Sequence, residues 1–243
     1  MTKLVALPIP FGAGENQRII YPVIASDAKH TVLIDAGFPG QLPLIQETAE
    51  KAGIALENLT HIVITHHDMD HVGSLAALKR TFPRAQVVSS AIEADYINGS
   101  KKSPRLEIAE QKVALLPTAE QQGALVYEQM LKSVERVEVD KIFKEDELLP
   151  CFGGVLIIST PGHLPGHISL YFEKEKTLIA GDAMTMENGK VAMANPQHTL
   201  NIQQARESVQ KFLKYDIDKI ICYHGGVFEG DGHKAIEEAL AAS

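Results

Sequence analysis

The chain has 243 residues, 45% of them apolar, and a formal net charge of −8 with acidic and basic side chains mixed along its length. That is enough for one large domain, 1–243, with a substantial core, and it offers no basic surface on which a nucleic-acid substrate would be expected. No apolar run can span a bilayer and residues 1–8 lack the length of a signal-peptide core, so a cytoplasmic protein without membrane association is expected; Cys151 and Cys222, not closely paired, fit a reducing compartment and read as buried apolar residues.

Strand-like runs open the chain near residues 3–7, 18–25 and 31–35, with Gly12-Ala13-Gly14 a turn between the first two. The third, Thr31-Val32-Leu33-Ile34, ends in Asp35-Ala36-Gly37. The run at 61–65 contains Ile62-Val63-Ile64-Thr65 and stops abruptly at His66-His67-Asp68-Met69-Asp70-His71. An apolar β-branched strand that ends in imidazoles and carboxylates delivers metal ligands at its C-terminal end. In an extended segment His66, Asp68 and Asp70 alternate onto one side and His67 points away, while His71 joins them as a helix begins. So many donors in a packed interior call for a cation among them.

A helix is expected over 71–81, anchored by Leu75, Leu78 and Phe82 and presenting its positive end to the anionic ligands, before a strand at 85–89. Residues 90–149 form a helical insertion with no ligand cluster: a polar stretch from Asn98 to Pro104, an Ala-, Glu- and Gln-rich helical stretch at 118–134, and charged residues up to Glu147. It reads either as a wall or lid that sets substrate preference or as a solvated surface insertion, and Tyr96, Tyr127 and Met130 either as pocket liners or as core.

Three later strands also end on a donor. The run at 154–159 leads into Thr160-Pro161-Gly162-His163, the run at 176–180 into Gly181-Asp182, and the run at 219–222 into Tyr223-His224-Gly225-Gly226. A strand at 167–172, a one-sided helix at 201–214 and a terminal helix at 232–242 complete the pattern. Four strand exits carrying His or Asp from distant parts of the chain are what a metal centre on the rim of a sheet requires. Gly37, Gly73, Gly162, Gly181 and Gly225 adjoin these exits and let the strand ends fold inward. His167 reads as a residue that orients a ligand or as a plain strand residue. His30, His61, His198 and His233 read as surface or structural residues, with His198 in a loop able to approach the site.

The pattern His66-x-Asp68-x-Asp70-His71, with His163, Asp182, His224 and the strand ending in Asp35-Ala36-Gly37, resembles the metallo-β-lactamase superfamily over nearly the whole chain. The resemblance implies an α/β fold, the four-layer αβ/βα sandwich, with two divalent metal ions at one edge of two facing sheets. It assigns His66, Asp68 and His163 to the first metal, Asp70, His71 and His224 to the second, and Asp182 to both. The chain departs from the family at Asp68, where His is usual. A harder, anionic oxygen there admits iron or manganese beside zinc, the first expectation, and the family's diiron flavoproteins also place a carboxylate at this point.

That likeness implies a hydrolase in which a metal-bound hydroxide, oriented by Asp70 as the catalytic residue, attacks a small ester, lactone or related carbonyl substrate. The expected partner is a small molecule, and a homodimer is compatible with the sequence. A glutathione thioester is the weaker expectation, because glyoxalase members carry a longer basic helical region than follows His224. Two alternatives stand beside this reading: a phosphodiesterase, and a mononuclear iron dioxygenase acting on a persulfide through His66, His163 and Asp182. The second leaves Asp70, His71 and His224 without a role.

Overall fold

Runs that lack polar alternation, such as Thr31–Ile34 and Ile168–Phe172, are buried along their whole length, as strands covered on both faces must be. They belong to a computed structural model that describes residues 2–14, 17–144, 146–149, 152 and 154–242, so Cys151 lies outside the described residues. In chain order, strands β1 (Lys3–Ala6), β2 (Ile9–Phe11), β3 (Arg18–Ile20), β4 (Val23–Ser26) and β5 (Thr31–Ile34) precede helix α1 (Leu42–Lys51). Strand β6 (His61–Val63), helices α2 (Met69–Val72) and α3 (Leu75–Thr81) and strand β7 (Gln86–Ser90) follow. Helices α4 (Ala91–Ile97), α5 (Pro104–Leu115) and α6 (Gln122–Lys132) and strands β8 (Lys141–Phe143) and β9 (Leu148–Leu149) occupy the middle. The rest comprises β10 (Val155–Ser159), β11 (Ile168–Phe172), β12 (Thr177–Gly181), β13 (Met184–Glu187), β14 (Lys190–Met193), α7 (Ile202–Gln210), β15 (Lys219–Cys222), β16 (Gly226–Glu229) and α8 (Gly232–Ala241).

Two six-stranded sheets carry the fold, in the orders β1-β4-β5-β6-β7-β8 and β16-β15-β12-β11-β10-β9. Their facing sides bury Val32, Ile34, Val63, Ile157, Leu170 and Phe172 in one apolar layer. Ile45 and Ala49 of α1 and Leu75 and Leu78 of α3 pack with Leu33 and Ile62 from the outer face of the first sheet. Val209 of α7 and Ile236 and Leu240 of α8 pack with Leu178 and Ile220 from the outer face of the second. Helix, sheet, sheet, helix is the expected four-layer αβ/βα sandwich. No helix among the described residues is long and apolar enough to cross a membrane.

The departures from the sequence reading have local causes. The run at 18–25 is cut at Tyr21-Pro22, because Pro22 cannot donate to a ladder. The helix expected over 71–81 is two pieces, and the first begins at Met69, inside the ligand cluster, so the cluster does not sit ahead of a long helix. At the junction a Cβ on Gly73 would lie 2.3 Å from the Pro39 nitrogen, so only glycine lets these segments meet. The 201–214 helix ends at Gln210 and tightens into a 3-10 turn over Lys211–Lys214. The helical region expected over 90–149 holds α4, α5 and α6, with the 118–134 stretch helical mainly at Gln122–Lys132, but its last part pairs as β8 and β9 at the edges of the two sheets.

Candidate metal centre

Parallel pairing of β5 with β6, and of β12 with β15, sends the strand exits to one edge of the sandwich. Strand β10 runs antiparallel to β11, which runs antiparallel to β12, so β10 exits at the same edge. Asp35, His66, His163, Asp182 and His224 follow β5, β6, β10, β12 and β15 respectively, and the single turn of α2 adds Asp70 and His71. All seven residues singled out as ligands converge there, in groups able to hold a cation: His66, Asp68 and His163; Asp70, His71 and His224; and Asp182 with His66 and His71.

In the first cluster His163 Nε2 lies 3.0 Å from Asp68 Oδ2 and 3.5 Å from Asp182 Oδ2, and His66 Nε2 lies 3.6 and 3.9 Å from the same two oxygens. In the second, Asp70 Oδ2 lies 3.1 Å from His224 Nε2 and 3.8 Å from His71 Nε2. Asp182 joins it through Oδ2, 3.4 Å from His224, and Oδ1, 3.4 Å from His71. Metal–ligand bonds of about 2.0–2.2 Å in a tetrahedron give ligand separations of about 3.3–3.6 Å, so both clusters have the size of a cation's coordination shell. His66 Nε2, His71 Nε2 and Asp182 Oδ1 are moreover buried with no hydrogen-bond partner among the described residues. Orphan lone pairs converging on one space fit a metal and fit little else.

Supporting groups fix which imidazole nitrogen faces inward. Asp35 Oδ2 lies 2.9 Å from His71 Nδ1, so Nδ1–H donates outward and leaves the Nε2 lone pair inside. Asp35 Oδ1 also accepts from the Thr65 amide at 2.8 Å, and Thr65 Oγ1 meets His66 Nδ1 at 3.0 Å. His167 is fully buried, and burial, with the neighbouring His163, pushes it down to about 3, keeping it neutral. Its Nε2 accepts from the Asp182 amide at 3.0 Å while Nδ1 meets Thr160 Oγ1 at 2.8 Å, so of its two readings the orienting one describes its contacts. A Cβ on Gly181 would lie 2.7 Å from that Nε2, and the residue's φ of 57° is one glycine adopts freely. His67 points away from the cluster onto Glu93, 2.5 Å from Nδ1, and stacks on Tyr96. Glu93, buried on α4, also accepts from the amides of His67 at 2.8 Å and Gly166 at 2.9 Å, clamping the loops that carry His66 and His163.

The second cluster attracts positive charge. Burial alone would push both its imidazoles down, but Asp182 and Asp70 draw His224 up to about 10, and Asp35, Asp182 and Asp70 hold His71 well above the usual range. Burial likewise disfavours the Asp182 carboxylate, yet His224 and His71 hold it well below its usual range. His66 is pushed well down by burial and by His71. Asp68 would be raised by burial, but the imidazoles of His163 and His66 and the Arg105 guanidinium beside it hold it well down.

Arg105 is the participant the sequence reading missed. It stands at the start of α5, 37 positions from Asp68, in a charged stretch that looks solvated, yet its side chain is only 13% exposed. Nε reaches Asp68 Oδ1 at 2.9 Å and Nη2 reaches Oδ2 at 2.8 Å. Glu93 was also missed, although Ser90-x-x-Glu93 carries a capping-box spacing and Ser90 Oγ does accept from the Glu93 amide. A cleft of about 720 Å³ opens over the cluster, lined in part by Phe11, Phe38, Met69, Tyr127 and Met184. The middle region thus supplies cleft wall through Arg105, Tyr127 and Leu131, whereas Tyr96 sits on His67 and Met130 is exposed. His198 reaches the cleft, His233 bonds the Leu213 carbonyl, and His30 and His61 lie elsewhere. Cys222 is buried, and burial pushes its thiol up.

Residues 21–224 match the model of the metallo-β-lactamase superfamily, and the chain belongs to that superfamily. It is 31% identical over 176 residues to the uncharacterized protein YobT of Bacillus subtilis, covering 70% of this chain and 65% of YobT. It is 27% identical to the probable metallo-hydrolase YflN of the same organism, covering 90% of this chain and 84% of YflN. A hydroxyacylglutathione hydrolase of Rhodopseudomonas palustris is 28% identical over 68% of this chain, which spans 47% of that enzyme. Among solved structures, the metallo-β-lactamase family protein TTHA1429 of Thermus thermophilus superposes with a TM-score of 0.73 at 19% identity, covering 98% of this chain and 78% of that one.

Proposed function

We propose that this metallo-β-lactamase superfamily member is a metal-dependent hydrolase that cleaves a small ester, lactone or related carbonyl substrate at a dinuclear centre. His66, Asp68 and His163 would hold one divalent cation, Asp70, His71 and His224 the other, and Asp182 both. The observation that carries the reading is the pair of donor clusters, each with separations of 3.0–3.9 Å, joined through one carboxylate. When bound, such ions polarise a carbonyl oxygen and lower the pKa of water toward neutrality.

The chain's own residues supply placement. Asp70, which lines the cleft beside the second cluster, would accept a hydrogen bond from the attacking water through its other carboxylate oxygen and aim it. Phe11, Phe38, Met69 and Met184 exclude bulk water and take the apolar part of an acyl group. Burial and the Asp68 charge raise the Tyr127 phenol, so it stays protonated and can donate to a substrate oxygen in the cleft. Zinc is the first candidate metal, with iron or manganese admitted by Asp68. A dioxygenase using only His66, His163 and Asp182 would leave the packed trio of Asp70, His71 and His224 idle.

The test is hydrolysis of lactones, aryl esters, thioesters and phosphodiesters by chelator-stripped protein reloaded with zinc, manganese or ferrous iron. Metal-restored turnover of a carbonyl substrate, lost in Asp70→Asn, is expected. Oxygen uptake with a persulfide and no hydrolysis of any class would overturn the reading.

A further inference from the structure

The two clusters differ in what already stands on them. In the second, Asp70 makes its ion-pair contacts, among the described residues, with the imidazoles of His71 and His224. In the first, the Arg105 guanidinium lies against the ligand atoms themselves. Its Nη2 is 2.8 Å from Asp68 Oδ2 and 3.2 Å from His163 Nε2. Those two atoms, 3.0 Å apart, are half of the four that outline the first cluster. Arginine has only donors and keeps its charge, so the Asp68 Oδ2 lone pair that accepts from Nη2 is not free for a metal, the space beside His163 Nε2 is taken, and the charge of Asp68 is already balanced.

We propose that Arg105 takes a cation's place on the Asp68–His163 pair and so makes the two clusters load unequally. The second cluster takes a divalent cation first and tightly; the first takes one only as Arg105 withdraws. This rests on the assignment of both clusters as metal sites made above.

The arm has a defined mounting. Arg105 follows Ser103, whose hydroxyl accepts from the Arg105 amide and starts α5, and α5 packs on α6 through Leu106, Ala109 and Leu131. Nη2 also donates to the His198 carbonyl at 2.5 Å. Withdrawal therefore breaks a link between α5 and the 196–198 turn, and loading of the first cluster is tied to the spacing of those two elements.

A plainer role makes the opposite prediction. If the guanidinium merely orients Asp68 for a metal by holding Oδ1, its removal weakens the first cluster, as loss of an outer partner does. If it stands in for a cation, its removal tightens that cluster. The sign of the change separates the two.

The experiment is titration of the full-length, chelator-stripped protein with zinc against a chromophoric competitor, for wild type, Arg105→Met and Arg105→Gln. The same three forms are measured with His224→Ala, which leaves only the first cluster intact, and circular dichroism checks the folding of each. Wild type should take one equivalent tightly and a second more weakly. Both Arg105 variants should tighten that second equivalent roughly ten- to a hundredfold, the worth of the charged hydrogen bonds a metal no longer has to displace. In the His224→Ala background the same gain should appear on the single remaining site.

Two equivalents of equal affinity in wild type, or a weaker first cluster in both Arg105 variants, overturns the proposal and leaves the dinuclear reading standing. Failure of every form to take zinc at either cluster overturns both.

Discussion

Asp35 and Glu93 are both buried carboxylates behind the candidate metal centre, and they support its donor clusters in different ways. Asp35 acts on a ligand side chain: it holds His71 Nδ1 at 2.9 Å and, through Thr65, steadies His66. It does so from a left-handed backbone with a φ of 65°, an unfavourable conformation for a residue other than glycine. Glu93 acts on backbone, drawing the amides of His67 and Gly166 to one carboxylate and so setting the distance between the loops of His66 and His163. Ring orientation thus organises the second cluster and the His66 ring of the first, while loop alignment sets the spacing of the first. The first is also capped by Arg105, while the second faces the cleft with its imidazoles drawn toward positive charge.

The comparison can be broken most decisively at the second cluster. His71→Ala and His224→Ala should each lose about one metal per chain and at least roughly a hundredfold in hydrolysis, more than loss of an outer partner costs. Elemental analysis beside turnover checks this, and two retained metals would remove these residues from the ligand set. Next in size are the supports. Asp35→Asn should weaken the second cluster roughly ten- to a hundredfold with less effect on the first, seen in a metal titration. Glu93→Gln should instead disturb the first cluster and lower stability by about 1–3 kcal/mol, read from urea midpoints, because it turns a buried acceptor of several hydrogen bonds into a partial donor. Equal effects of both substitutions on both clusters would dissolve the distinction. The smallest change is expected for Asp68→His, which should keep the fold, release Arg105 and move metal preference toward zinc; an unchanged metal profile would mean that Asp68 does not touch the ion.

Much of this was legible in the sequence, for a physical reason. Apolar runs such as 62–65, which carries β6 onward, and 178–180 within β12 are buried, so an imidazole or carboxylate at their ends is conspicuous and its place at a sheet rim follows. Alternation in extended backbone was enough to turn His67 away from His66 and Asp68, but these residues lie beyond β6 and Asp70 is placed by α2 rather than by the alternation. What was not legible depends on pairings at long range. Helix α5 buries only Leu106 and Ala109 on its own length, too narrow a stripe to announce a helix, and nothing local marks Arg105 as the partner of a residue 37 positions away. Glu93 had a local signal in Ser90-x-x-Glu93, which predicts the start of α4 but not that the carboxylate turns to His67 and Gly166. The break at Gly73 is fixed by the approach of Pro39, a contact only the fold creates.

The most direct test of the metal centre is anomalous diffraction at the metal edge from crystals grown with zinc and repeated with manganese. A full peak enclosed by Asp70, His71, His224 and Asp182, and a second of lower occupancy enclosed by His66, Asp68, His163 and Asp182, is the expected result. Crystals that bind the ions elsewhere and leave these seven side chains bonded only to one another would contradict it.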